Sequence, residues 1–202
     1  MSGRTGRQTI GFLNVVTGRD EDLGAPVTNF AVARVKRDIG RSSYVGGIVT
    51  HRYEEGGVTN LAGGADWSLW LSQPLVFQGF FAATTDSREG GDDITWNVTL
   101  DYTGDWVGWL VQHTEIGPDL RPDMGFVRRL DIETTSGALR FTPRPPIPGL
   151  RKIDIRNSFE YVESEATGQV LDRAWELSLS PQLNTGDEAE IELRYQFQRL
   201  FD

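Results

Sequence analysis

Two histidines, His51 and His113, are the side chains best able to move a proton near neutral pH. A nucleophilic triad would need a serine within hydrogen-bond reach of one of them and a carboxylate to orient it. Each histidine instead lies near the end of an alternating segment, followed by charged or polar residues, with no such motif beside it. Two histidines without a close pairing also make a poor zinc centre, so both read as surface or lumen side chains. The acidic stretches GRDEDLG (18–24) and REGGDD (88–93) gather carboxylates of the kind calcium uses, but neither has the ligand spacing of an EF-hand loop. They read as solvated loops. Carboxylates are plentiful enough for a glycosidase pair to be assembled on paper, yet nothing singles out two of them. The sequence therefore points to no catalytic residue, no metal site and no cofactor.

The segment Gly125-Phe126-Val127-Arg128-Arg129 follows Gly117, Pro118 and Pro122, residues that fix the chain before a strand begins. One reading makes Gly125, Phe126 and Arg128 a loop–strand junction that folds into a lumen or gates it, with Arg129 facing inward. The other makes it a rigid corner whose rim arginine pairs with a carboxylate or a lipid phosphate.

The elements that must position these groups have a period close to two almost everywhere. Ile94, Trp96, Val98, Leu100 and Tyr102 fall on one face, with Thr95, Asn97, Thr99 and Asp101 on the other. Near the C-terminus Ala189, Ile191, Leu193, Tyr195 and Phe197 alternate with Glu188, Glu190, Glu192, Arg194 and Gln196. A helix carrying this pattern would smear apolar groups around its circumference. Further strands are expected over 9–17, 28–38, 42–54, 59–72, 75–86, 105–115, 125–134, 137–143, 151–163 and 168–180. The expected fold is all-β: an antiparallel up-and-down meander of about twelve long strands in one domain over 1–202, forming a partial or complete transmembrane β-barrel.

Composition agrees with strands and turns: 23 Gly, 6 Trp, 10 Phe and 5 Tyr in 202 residues. A formal charge of −9 argues against a nucleic-acid partner, which needs a basic stripe. Without cysteine there is neither a disulfide framework nor a thiolate metal site. No stretch has the roughly 18 apolar residues of a membrane helix, and the opening MSGRTGRQTIGFLNVV reads as no export signal.

Alternation alone fits a soluble sandwich as well as a membrane barrel. Three features favour the membrane. Several strands reach the roughly 9–11 tilted residues needed to cross a bilayer. Connections alternate long and short: GRDEDLGAPV, IGRS, EEGG, Gln73-Pro74, SREGGDD, TGD, IGPDLRPDM and TSG, followed by the Pro-rich RPPIPG. Aromatics (Tyr53, Trp67, Tyr102, Trp106, Tyr161) stand near strand ends. The polar face then lines a lumen, with Asn97, Asp101, Arg129, Asp131, Glu190, Glu192 and Arg194 as lining or binding candidates and Glu133, Arg156 and Glu160 on the same face. Arg37, on the opposite face from Arg34 and Lys36, and Arg128, sharing a face with Phe126 and Leu130, must then lie near a rim, where a lipid-facing arginine costs little.

The stretches GRTGRQTIGFLNVVTG, TNFAVARVKRDIGRSSYVGGIVTHR and IGPDLRPDMGFVRRLDI together resemble the C-terminal β-barrel domain of a bacterial family of unknown function, often found behind a family-9-type carbohydrate-binding domain. The resemblance runs over roughly residues 3 to 162. VKRDIG (35–40) and GFVRR (125–129) are its most specific parts. It implies an exported, envelope-associated protein with an outer-membrane barrel, of which this chain would be an N-terminally truncated piece lacking the signal peptide and the carbohydrate-binding domain. The expected function is a non-catalytic pore, importer or envelope anchor in contact with outer-membrane lipid. The alternatives are a soluble β-sandwich that binds glycan on exposed Trp and Tyr, and part of a polysaccharide-acting hydrolase.

Overall fold

A computed structural model of the chain describes residues 1–22, 24–88 and 91–199. Its elements are twelve strands: β1 (Ser2–Thr5), β2 (Gln8–Thr17), β3 (Thr28–Ile39), β4 (Ser43–Glu54), β5 (Thr59–Trp70), β6 (Leu75–Asp86), β7 (Asp93–Thr103), β8 (Val107–Ile116), β9 (Ile132–Phe141), β10 (Leu150–Glu163), β11 (Val170–Leu183) and β12 (Ile191–Gln198). They form one antiparallel sheet in which every strand pairs with its sequence neighbours, in the order β1 to β12. The all-β meander expected from the period of two is the observed fold. The sheet is open: β1 and β12 each have one neighbour.

The alternating side chains divide the sheet into two unlike faces. On β7 the polar Thr95, Asn97 and Thr99 are buried, while Ile94, Trp96, Val98 and Leu100 on the other face stay partly open. Buried polar side chains recur on other inner strands, whereas β2 and β12 are exposed on both faces. Buried hydrophobic side chains among the described residues are Leu120, Val162 and Leu171, whereas buried polar ones include Thr28, Asn60, Thr84, Thr142, Asp154 and Ser178. A flat single layer would expose both faces alike, so the sheet curls with its polar face on the concave side. The chain exposes 13229 Å², against about 9,500 Å² for a compact soluble monomer of this mass.

Register adds a second asymmetry. The row of paired residues that starts at Gln8, the first residue of β2, passes through Arg37, Val45, Trp67, Gly79, Val98, His113, Thr135, Tyr161 and Arg173. It ends at Phe197, next to the last residue of β12. The strands are therefore staggered steadily in one direction. Turn chemistry fixes this: at the β3–β4 hairpin Gly40 has a φ of 64°, the left-handed conformation that glycine adopts without strain.

Three differences from the sequence expectation stand out. Ser2–Thr5 forms a short edge strand that its four polar or small residues do not announce. Residues 125–134 and 137–143 are not two strands. A single strand, β9, covers Ile132–Phe141, and the expected TSG turn (135–137) lies inside it. Gly137 reads as a turn residue but sits in the ladder because the Phe159 ring covers it from β10. With that turn removed, segments 18–27, 55–58, 87–92, 117–131 and 164–169 lie at one end of the sheet, the loop end. The tighter 6–7, 40–42, 71–74 and 104–106 lie at the other, the turn end, together with 142–149 and 184–190. The acidic stretches at 18–24 and 88–93 include Leu23, Glu89 and Gly90, and the terminal aromatic Phe201 follows Leu200; these residues lie outside the described ones.

Candidate functional site

Among the described residues the concave face carries most of the sheet's hydrogen-bonded polar side chains. Pairing carries Trp70 to Val76, Asp101, Leu110, Ala138, Ser158, Glu176 and Arg194 in one row, from β5 to β12. The row one step closer to the turn end holds Thr103, Gly108, Arg140, Arg156, Ser178 and Glu192. Of the expected lining residues, Asn97, Asp101, Glu192 and Arg194 share this face, as do Arg156 and Glu160. Asn97 donates to Thr114 Oγ1 at 2.7 Å, and Thr95 Oγ1 donates to the Glu115 carbonyl at 2.7 Å. Neutral hydrogen-bonded groups thus line this face at β7 and β8. Charged groups stand on other strands, some of them paired, as in Arg34 Nη2 to both oxygens of Asp66 at 2.9 Å.

The remaining expected residues are placed differently. Glu190 precedes β12 and is exposed. Glu133 lies on the apolar face, because β9 begins at Ile132 and puts Ile132 and Thr134 on the polar side. Gly125, Phe126, Arg128, Arg129 and Asp131 belong to the loop 117–131 and to no strand. Phe126 is almost fully exposed. Arg129 still reaches inward: its Nη1 donates to Asp172 of β11 at 2.9 Å. Asp131 has a φ of 55°, an unusual conformation that aspartate tolerates. Its carboxylate accepts from Ser164 Oγ and Ala166 N, both at 2.8 Å, and so ties this loop to the next.

No motif announces what the first half of that loop does. It runs back over the polar face as far as β4. Arg121 N donates to Thr84 Oγ1 of β6 at 3.2 Å, and the Arg121 carbonyl accepts from Asn60 Nδ2 of β5 at 2.6 Å. Asp123 N donates to Asn60 Oδ1 at 3.1 Å, and the Asp123 carboxylate takes Arg52 Nη1 of β4 at 2.7 Å and the Arg88 guanidinium. Asn60, 1% exposed, is the most buried polar residue among those described. The only local hint was Asp123 after Pro122. Its partners are 35 to 71 residues away, beyond the reach of any motif. At the same end, burial and the neighbouring carboxylates Glu115, Asp93, Asp131 and Glu133 push Glu165 above the usual glutamate range.

The convex face is apolar and unpartnered. Arg37 lies near its turn end, and His51, Glu115, Glu133, Glu163 and Arg173 near its loop end. Between them lie Val35, Val49, Trp67, Phe81, Leu100, Val111, Leu139, Phe159 and Trp175. His113, also on this face, packs on Trp96 with centroids 4.7 Å apart and shares a 2.9 Å hydrogen bond with Thr135 Oγ1. Glu133 Oε1 stands 3.6 Å from His113 Nε2, and no serine bonds to either histidine among the described contacts.

No family model matches the chain, and no curated protein matches it. A solved structure described as "Unveiling the Mechanism Behind the in-meso Crystallization of Membrane Proteins" aligns over 93% of this chain and 83% of its own, at 13% identity and a TM-score of 0.26. A likeness that weak carries no argument.

Proposed function

We propose that this chain forms the wall of a bacterial outer-membrane β-barrel, a non-catalytic pore, importer or anchor whose convex face meets lipid and whose concave face meets water. The observation that carries the reading is the inverted burial: small polar side chains on the enclosed face, large apolar ones on the open face. Water penalises that arrangement at about 25 cal/mol for each Å² of apolar surface left exposed, and a bilayer does not. The charges on the convex face are confined to the two ends of the strands, where a membrane interface would lie.

Stagger and loops support the same reading. Closing a sheet into a barrel requires tilted strands and a steady shift of register, the shift traced from Gln8 to Phe197. The two edges are compatible with closure, since β1 runs toward the turn end and β12 away from it, so they meet antiparallel. Longer connections on one end and tighter ones on the other are the habit of outer-membrane barrels. The resemblance of residues 3 to 162 to an envelope-associated barrel domain points the same way. A soluble sandwich would need a second sheet over the apolar face, and the described residues make one sheet only.

Solubility and gel mobility test this. The chain is expected to aggregate in plain buffer, to become monodisperse in detergent or lipid, and to migrate there as a compact band that shifts on boiling. A protein monodisperse without amphiphile, with no boiling shift, overturns the reading.

A further inference from the structure

Five of the six tryptophans lie on the convex face or in the turn 104–106, where lipid or its interface accounts for them. Trp70 does not. It closes β5 on the concave face, and its side chain is half exposed there. It lines a concavity of about 470 Å³ with Ser68, Gln78, Asp101 and Thr103, all on the same polar face. An aromatic surface flanked by an amide, a carboxylate and hydroxyls is the chemistry that recognises a sugar ring. The ring's C–H face packs on the indole while its hydroxyls donate to Asp101 and exchange hydrogen bonds with Gln78.

A second depression, of about 250 Å³, shares Asp101 and Thr103 with the first and contains Arg140 and Arg156. These two arginines are direct cross-strand partners on β9 and β10, an arrangement of like charges that destabilises a sheet unless an anion or other partner offsets it. Their bonds within the chain leave capacity to spare. Arg140 Nη2 donates to the Gly104 carbonyl at 2.9 Å, and Arg156 Nε donates to Asp154 at 2.9 Å. Gly108, between Thr103 and Arg140 in their paired row, has no side chain and leaves the floor there low.

We infer that these joined depressions form a binding site for an acidic oligosaccharide at the turn end of the lumen. Trp70, Gln78 and Asp101 hold a neutral sugar unit, and Arg140 and Arg156 hold a carboxylate-bearing one. The order follows from where the cations lie, since Arg140 and Arg156 line the second depression and no arginine or lysine lines the one at Trp70. Length follows from spacing: Trp70 and Arg140 lie four strands apart, about 19 Å along a flat sheet and less on a curled one, so the ligand is a disaccharide or longer. The inference deepens the barrel reading, because it takes the concave face to be the wetted one.

The test titrates the full chain with hyaluronan tetrasaccharide, which alternates glucuronate with N-acetylglucosamine, and with neutral chitotetraose. Calorimetry follows binding in the solvent that keeps the protein folded by far-UV circular dichroism. The acidic tetrasaccharide is expected to bind saturably and at least tenfold more tightly than the neutral one. Trp70→Ala weakens both by tenfold or more, while Trp70→Tyr, which keeps an aromatic face, retains most of the affinity. Arg140→Gln with Arg156→Gln abolishes the preference, weakening the acidic tetrasaccharide at least tenfold relative to chitotetraose. No saturable binding of the acidic tetrasaccharide, equal affinity for both ligands, or variants that bind as the unaltered chain does would each overturn the inference. Detergent dependence is scored separately, so a heat-modifiable protein that binds neither ligand sinks this site and spares the barrel.

Discussion

Val111 sits midway along β8 on the convex face, 51% exposed, between Leu100 and Gly137 in the paired row. Its neighbour Gln112 points to the concave face, between Thr99 and Ser136. An arginine at 111 would face the middle of the bilayer, at a cost of about 2–4 kcal/mol, which is about 30- to 900-fold in the folding equilibrium. At 112 the same arginine meets water among neutral side chains, and the change stays within about 0.5 kcal/mol. Tyr53, one residue from the loop end of β4 on the convex face, provides the depth control: Tyr53→Arg should cost about 0–1 kcal/mol, the interface value. Reversible denaturant unfolding in lipid vesicles, followed by tryptophan fluorescence, measures all three. In a water-soluble protein a half-exposed valine tolerates arginine, so the order would vanish. Equal costs at 111 and 112, or a larger cost at 112, refute the assignment of faces on which the membrane reading rests.

Three further outcomes follow from the loop end and from the packing of the convex face. Asn60→Ala removes two of the hydrogen bonds that hold the loop backbone, those to the Arg121 carbonyl and from the Asp123 N–H. Unfolding should weaken by about 2–3 kcal/mol, with hydrogen exchange rising at 119–124, whereas Arg19→Ala at the exposed Glu55 pair should change stability by under about 1 kcal/mol. Glu165 has its folded pKa raised above the unfolded value, so its charged form is the disfavoured one in the native loop. Stability should therefore rise as pH falls through that raised pKa and drop above it; Glu165→Gln should flatten this slope in a pH series of unfolding midpoints, and an unchanged slope would discount the carboxylate cluster as its cause. Gly137→Leu drives a side chain into the Phe159 ring, since a Cβ there would stand 2.5 Å from Phe159 Cε1; a loss of about 1–3 kcal/mol is expected, read by the same unfolding assay.

Strand content was legible because alternation is local. Ile94 to Tyr102 declares β7 outright, and most other strands begin and end within two or three residues of their expected limits. The failures share one physical cause, which is that the deciding partner is remote in sequence. Gly137 looks like a turn until Phe159 is placed over it. Residues 125–131 alternate like a strand, yet Arg129 and Asp131 are held by Asp172, Ser164 and Ala166, far along the chain. Merging β9 shifted the parity by one residue, and that sent Glu133 to the opposite face. Trp70 was hidden for a different reason: among six tryptophans in an aromatic-rich chain, only the register assigns it alone to the polar face.

Alternation tells that a sheet has two different faces and cannot tell which of them is enclosed. That choice is made by what the enclosed face can satisfy. Thr95, Thr99 and Asn97 are buried together and bond to one another and to the β8 backbone and Thr114. Their polarity is therefore compensated within the sheet, as a low-dielectric or narrow wet interior demands. Among the described residues the convex side chains have no counterpart layer, and the proposed function finds their compensation in lipid. A bilayer supplies it for side chains, but it cannot supply it for the open edges, where β1 and β12 present backbone groups that lipid leaves unpaired. The proposal that the convex face meets lipid thus requires both edges to be paired there. Cross-linking paired cysteines introduced on β1 and β12 should occur in vesicles if the two edges meet.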